Sequence, residues 1–310
     1  MGPDEYHDQY PNADQSGLNN NAYTNVMTVW VLRKAMEILD LLPEDCRLKL
    51  IDLLDLGEDE LERWRSITRK MRVVFHDQGI ISQFDGYSEL LEFDWEGYRR
   101  KYGDIQRLDR ILEAEDDTPN RYKVSKQADV LMLFYLLSAE ELRGIFEDLG
   151  YPFEYKTIPD TIAYYLQRTS HGSTLSRVVH SWVLARSDRG KSWELFTRAL
   201  ESDLQDVQGG TTPEGIHLGA MAGTVELIQR CYSGIEPRGS VLWFNPRLPE
   251  ELKELHLDIR FRKHSLVVHI TRETLRVSSN RCKEKPVNIG FNGIEYTLEA
   301  GGTLTFELEE

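Results

Sequence analysis

Hydrophobic periodicity changes once along this chain of 310 residues, near residue 238, and that change restricts the fold more than any single motif does. Upstream, apolar residues recur at helical spacing in segments divided by short polar joints. The clearest segment, NVMTVWVLRKAMEILDLL from Asn25 to Leu42, stops at Pro43, a residue that disfavours helix just before it. Its apolar residues at 26, 27, 29–32, 35, 36, 38 and 39 are too many for one face, so this helix is expected to be covered on most sides. Further helices are predicted around Glu58–Val73, Ser125–Ser138, Ala139–Leu149, Pro159–Arg168, Thr174–Arg186, Ser192–Ser202 and Pro213–Cys231. Ser125 and Ser192 read as N-caps, and Thr212-Pro213-Glu214 as cap, first helical residue and early acid. VLMLFYLL (130–137) has no clear period, and its place beside AEELRGIFEDLG favours a buried helix.

After Gly239 the texture is that of strands. VLWFNP, LDIRFRKHSLVVHITRETLRVSS, KPVNIGF and IEYTLEAGGTLTFELE alternate or run apolar and are separated by Gly, Asn and Pro. HSLVVHITRETLRV reads as two strands joined near Thr271–Glu273, and Gly301-Gly302 as a hairpin. The expectation is a mainly α chain: a helical part over 1–237, then a small antiparallel β-sheet or sandwich domain over 238–310.

Charge narrows the partners. Thirty-seven Lys and Arg against 52 Asp and Glu leave a net −15, which argues against nucleic acid or an anionic membrane surface. A small local anion pocket is still compatible with it. Cys46, Cys231 and Cys282 stand far apart with no CxxC, against a disulfide framework or a zinc site and in favour of a reducing cytoplasm. No apolar run is long enough to span a bilayer.

Four stretches have the composition of a site. GPDEYHD (2–8) holds carboxylates beside Tyr6, and a carboxyl kept protonated by partial burial can act as a general acid; a polar turn is the plainer reading. YKVSKQADV (122–130) sets Lys123 and Lys126 before a helix, either to hold an anion or sugar hydroxyls or as a solvated helix start. RTSHGSTLSRVVHSW (168–182) offers hydroxyls, an imidazole and bare Gly172 just ahead of a helix, flanked by Arg168. It fits a phosphate cradle and an ordinary serine–threonine cap equally well. GGTTPEGIHLGAMAGTVELIQRC (209–231) puts Gly215, Gly219 and Gly223 on one helical face, where Gly219 and Gly223 suit close helix packing. His217 faces either a pocket or the core, and His76, His180, His256, His264 and His269 read as scattered structural singles. The triplet NNN (19–21) reads as a turn, and FDGYSELLEFDW (84–95) as an aromatic surface loop or the lining of a sugar site.

Taken in order, GPDEYHD, NNNAYTNVM (19–27), KQADV (126–130), RTSHGSTLS (168–176) and TTPEGIHLGAMAGT (211–224) resemble glycoside hydrolase family 65, the maltose, trehalose and kojibiose phosphorylase family. The resemblance covers most of the helical part, and the β-rich tail fits the family's C-terminal sheet domain. It implies that residues 1–237 are the C-terminal half of an (α/α)6 catalytic barrel, with an upstream β-domain and the first half of the barrel preceding Met1. It also implies that Glu5 is the proton donor and that Lys126, Gln127 and His7 contact substrate. Ser170, His171, Gly172, Ser173 and Thr174 would bind phosphate. The activity implied is inverting phosphorolysis of an α-linked glucose disaccharide to β-glucose 1-phosphate and a free sugar. Inorganic phosphate is then a co-substrate, no cofactor or metal is needed, and the full-length protein is expected to be a homodimer. The alternatives are a hydrolase of the same fold, in which Glu214 is the nearest carboxylate of the matched motifs, and an inactive truncated fragment that binds a sugar or an anion.

Half a barrel would leave apolar helix faces unpaired, such as that of Val26–Leu39, so the isolated chain is expected to associate. Sedimentation of a single sharp monomer with a cooperative melt would count against that.

Overall fold

A computed structural model describes residues 2, 4–185, 187–205, 213 and 215–308. Two compact units divide the chain, Met1–Ser176 and Arg177–Glu310.

The first unit is built on helices α1 (Ala22–Leu41), α2 (Glu44–Leu53), α3 (Glu58–Lys70), α4 (Trp95–Tyr102), α5 (Leu108–Ala114), α6 (Asp129–Leu136), α7 (Ala139–Asp148) and α8 (Thr157–Leu166), with a two-stranded ribbon, β1 (Phe75–His76) and β2 (Ile80–Ile81). At its centre is α6, where Val130, Leu131 and Leu133 are fully buried, as the run VLMLFYLL predicts. It packs on α1 and α8, and α1 in turn on α3 and α7. Between α6 and α7 the chain breaks at Ser138, which forms a capping box: its Oγ accepts from the N–H of Glu141 and the Glu141 carboxylate accepts from the N–H of Ser138.

The expected cover on α1 is not found. Ala22, Val26, Val29 and Leu39 are buried, whereas Val31, Ile38 and Leu41 are 53%, 55% and 83% exposed, so packing against α3, α6 and α7 leaves part of its apolar surface open. FDGYSELLEFDW is more than an aromatic surface loop: Phe84, Tyr87, Leu90 and Phe93 are core residues. Ser125 is not an N-cap either. It bridges to Thr169 in extended backbone, and α6 starts four residues later.

Helix α9 (Thr174–Leu184) carries the chain from one unit into the next. In the second unit α10 (Arg189–Leu200) is capped by Asp188, while Ser192, predicted as the cap, is buried inside the helix and donates to the carbonyl of Ser181. Helix α11 (Leu218–Glu226) continues as a π-helix over Leu227–Tyr232. It starts later than predicted, so Gly215 (φ +112°) stands outside it. Gly219 is exposed. Gly223 does mark a close approach, since a Cβ there would lie 2.6 Å from Val178 of α9. His217 is half-buried, and its ring and backbone N–H both face the Asp203 carboxylate. Thr211, Thr212 and Glu214 lie outside the described residues.

Eight strands follow: β3 (Glu236–Arg238), β4 (Val241–Phe244), β5 (Glu254–Phe261), β6 (His264–Thr271), β7 (Thr274–Ser279), β8 (Val287–Phe291), β9 (Ile294–Leu298) and β10 (Thr303–Glu307). One sheet, in the order β10-β7-β6-β5, is antiparallel throughout. The other, β3-β4-β8-β9, is mixed, because β4 and β8 run parallel. Ring contacts of Phe306 with Phe291 and Tyr296 join the two sheets. Gly301-Gly302 does form a tight turn, with the N–H of Gly302 on the carbonyl of Glu299, but it passes the chain from β9 in one sheet to β10 in the other. The predicted hairpin is therefore absent. Two-residue turns join β3 to β4 at Gly239-Ser240, β5 to β6 at Arg262-Lys263, β6 to β7 at Arg272-Glu273, where a turn was expected, and β8 to β9 at Asn292-Gly293; Arg262, Lys263, Asn292 and Gly293 all have positive φ.

Candidate active site

Four successive residues of the first motif each take hold of a different part of the first unit. Asp4 is 2% exposed and accepts three hydrogen bonds: Lys126 N–H to Oδ1 at 2.6 Å, the Gln83 side-chain amide to Oδ2 at 2.7 Å, and His7 Nδ1 to Oδ2 at 2.9 Å. Glu5 points the other way, exposed, with Oε2 2.6 Å from Lys126 Nζ. The Tyr6 hydroxyl lies 2.8 Å from Ser170 Oγ, its ring among Phe93, Leu108, Leu112 and Val124. His7 Nε2 donates to the carbonyl of Tyr122 at 3.0 Å. Burial of Asp4, Tyr6 and His7 leaves Glu5 outward, on backbone at φ +62°.

These contacts draw three sequence motifs together. Ser125 accepts from the N–H of Ser170 at 2.9 Å, which fixes the 168–176 loop beside the 122–129 segment. Gly172 closes the cluster: a Cβ there would lie 2.5 Å from the carbonyl oxygen of Gln106, 3.1 Å from Lys126 Cγ and 3.2 Å from the Tyr6 hydroxyl. His171 stands at φ +57°, with Nδ1 2.9 Å from Ser176 Oγ. Ser170, Gly172 and Thr174 are buried, and His171 and Ser173 are half-buried. Gly172→Ala is expected to destabilise the first unit by about 1–3 kcal/mol, because backbone rather than a flexible side chain must move. Gly57→Ala, where a Cβ meets open space, is the control, and thermal melts of the two variants compare them.

Several expectations change here. Partial burial of Glu5 beside Tyr6 is not what the structure shows, since the two side chains point apart. His7 is 3% exposed, with both ring nitrogens engaged by Asp4 and Tyr122, so its ring anchors the loop. Lys123 and Lys126 do not form a cation pair: Lys123 lies 3.3 Å from Glu92, while Lys126 serves Glu5. Arg168 is bound to the same Glu92 and stacks 3.8 Å over the Tyr164 ring. Gln127 is 6% exposed.

Residues that pattern reading passed over hold the site in place. Asn21, the last of the NNN triplet, is no simple turn: Oδ1 caps α1 through the N–H of Thr24, and Nδ2 donates to Asp129 Oδ2 at 2.7 Å. Asp129 Oδ1 accepts from the N–H of Asp4, and a Cβ on Gly2 would overlap the Asp129 carboxylate. Gln83 has no motif around it at all.

Burial first, and the Asp4 carboxylate second, push the Asp129 carboxyl above its usual range. The native state therefore keeps this proton to higher pH than the unfolded chain does. Its contribution grows as pH falls toward the ordinary aspartate value of about 3.9, and is lost as pH rises through the raised native value. Melting temperature relative to Asp129→Asn should accordingly rise between about pH 8 and about pH 5. A difference that stays flat over that range would sink the assignment.

Comparison with known proteins agrees with this assembly of motifs. Residues 1–226 match the glycosyl hydrolase family 65 central catalytic domain, and residues 235–298 the family's C-terminal domain. A Mycobacterium tuberculosis protein known as an uncharacterized glycosyl hydrolase is 52% identical over 98% of this chain and 23% of its own length. The trehalose 6-phosphate phosphorylase of Lactococcus lactis is 34% identical over 90% of this chain and 35% of its own. The kojibiose phosphorylase of Caldanaerobacter subterraneus is 30% identical over 96% and 36%. This chain thus spans between about a quarter and about a third of these relatives. A solved structure from the human microbiome, assigned as a kojibiose phosphorylase, shares the fold with a TM-score of 0.75 at 22% identity, over all of this chain and 42% of that one. Helices, sheets, motif order and family models all agree, and the chain belongs to glycosyl hydrolase family 65.

Proposed function

We propose that this chain supplies the acid and the phosphate-side loop of an inverting α-glucoside phosphorylase. The observation that carries the reading is the convergence of Glu5, Lys126 and the Ser170–Thr174 loop on one cluster, with Lys126 Nζ 2.6 Å from the Glu5 carboxylate and Gly172 against the Lys126 stem. Glu5 donates the proton to the departing glycosidic oxygen while phosphate attacks the anomeric carbon from the opposite face. The C–O bond to the leaving sugar breaks as the C–O bond to phosphate forms, with inversion to β-glucose 1-phosphate. Phosphate arrives anionic and needs donors to hold it, whereas water would need a carboxylate base. RTSHGSTLS contains no Asp or Glu, which favours phosphorolysis over hydrolysis. Backbone N–H groups at the start of α9 and the hydroxyls of Ser173 and Thr174 are the donors proposed to hold it, with Lys126 and Gln127 on the sugar side.

The substrate class is a glucose disaccharide of the maltose, trehalose or kojibiose type. The relatives named for phosphorolysis of trehalose 6-phosphate and kojibiose support the class without choosing a linkage. No cofactor or metal takes part in this chemistry, a homodimer is the proposed assembly of the whole protein, and a reducing cytoplasm suits the three free cysteines. Among the described residues, no helix is long and apolar enough to cross a membrane.

The test incubates the chain, alone and within the longest reading frame that contains it, with a panel of glucose disaccharides with and without phosphate. Glucose 1-phosphate that forms only with phosphate is the expected product. Free glucose released without phosphate would make the protein a hydrolase. An inactive chain in both settings would leave a binding fragment as the better reading.

A further inference from the structure

The outer face of the antiparallel sheet carries donors that the proposed reaction does not use. His256 on β5 and His269 on β6, read from sequence as scattered singles, are direct cross-strand partners. Their rings stack with centroids 4.0 Å apart and planes 14° from parallel. Glu254 precedes His256 by two residues and so shares its face. Its Oε2 sits 3.5 Å from Nε2 of His256 and 3.1 Å from Nε2 of His269. One ligand atom from each of the three lies within 4.8 Å of the others.

These spacings suit a small divalent ion. Ligand atoms about 2.0–2.1 Å from a tetrahedral zinc stand roughly 3.3 Å from one another, and the two carboxylate-to-imidazole distances bracket that value. Glu254 and His256 are exposed and His269 is half-buried, which gives an ion access and leaves room for water. Around the group, Asp258 follows on the same face of β5 and Arg276 of β7 pairs with His269, one neighbour of each sign.

We propose that Glu254, His256 and His269 form a site for a divalent transition-metal ion, zinc foremost, with two imidazole nitrogens and one carboxylate oxygen as protein ligands and water in the open position. The sequence-based exclusion of zinc rested on cysteines, which take no part here. Since β5 is the edge strand and carries two of the three ligands, the bound ion ties that edge to β6. It therefore acts as a structural clip on the β-region, independent of the sugar chemistry.

The test titrates zinc chloride into the full chain by calorimetry at neutral pH and counts bound zinc by elemental analysis after dialysis. One zinc per chain is expected, with a rise in melting temperature that EDTA reverses. His256→Ala and His269→Ala should each weaken binding by at least the roughly tenfold that loss of even an outer-shell partner costs. Glu254→Gln should weaken it as well. The three side chains lie on the outer face, so the zinc-free melts of the variants should match that of the parent chain. Absence of saturable binding would overturn the proposal. So would binding that survives His256→Ala combined with His269→Ala, or that is lost instead in Cys282→Ser, whose Sγ lies 3.7 Å from His264 Nδ1.

Discussion

Glu5→Gln should lower phosphorolysis of an unactivated glucose disaccharide by about 10²–10⁴-fold, the range that a positioned general acid supplies. Glutamine keeps the size and a hydrogen-bonding oxygen for Lys126 but has no proton to give to the leaving oxygen. A substrate that leaves without protonation separates this from a binding defect. With 4-nitrophenyl α-glucoside and phosphate, the Gln variant should retain most of its activity, because nitrophenolate departs as the anion. Stability should scarcely change, since Glu5 is exposed and a surface ion pair contributes about 0–1 kcal/mol. A Gln variant that cleaves the disaccharide at nearly the parent rate would remove Glu5 from the mechanism. Equal losses on both substrates would make it a binding residue.

Asp4→Ala is expected to be the most damaging single change in the first unit. It strips the acceptor from the N–H of Lys126, the amide of Gln83 and the ring of His7 at once, all at a site that is 2% exposed. Breaking a buried charged network of this kind costs about 3–5 kcal/mol, or on the order of 10 °C in melting temperature for a unit of this size. Asp4→Asn should fall between the two. It keeps one oxygen for Lys126 and relieves the repulsion from Asp129, but turns an amide donor toward Gln83 and His7. Thermal melts of the three proteins make the comparison, and an Ala variant as stable as the parent would show that Asp4 does not organise the loop.

The contrast between Glu5 and its neighbours shows how far the linear sequence reaches. The order of the motifs sufficed for the family, because GPDEYHD, KQADV and RTSHGSTLS retain their residue types whatever surrounds them. Local periodicity sufficed for most long helices and strands, α6 included, since backbone hydrogen bonds within an element obey near-neighbour rules. What proximity alone decides lay beyond it. Gln83 reaches Asp4 across 79 positions with no motif around it, and Asn21 reaches Asp129 across 108, both inside matched motifs that nothing in the linear sequence pairs with each other. Gly301-Gly302 has the composition of a hairpin, yet which sheet receives β10 depends on the pairing of β7, not on the turn. His256 and His269 are single histidines thirteen residues apart in the chain, and the register of β5 on β6 is what sets them ring to ring. Residue type and local period are properties of a few neighbours, so the sequence determined the elements, the motifs and the family. Burial, shared hydrogen bonds and the meeting of distant side chains depend on packing across the whole unit, and these only the tertiary structure decided.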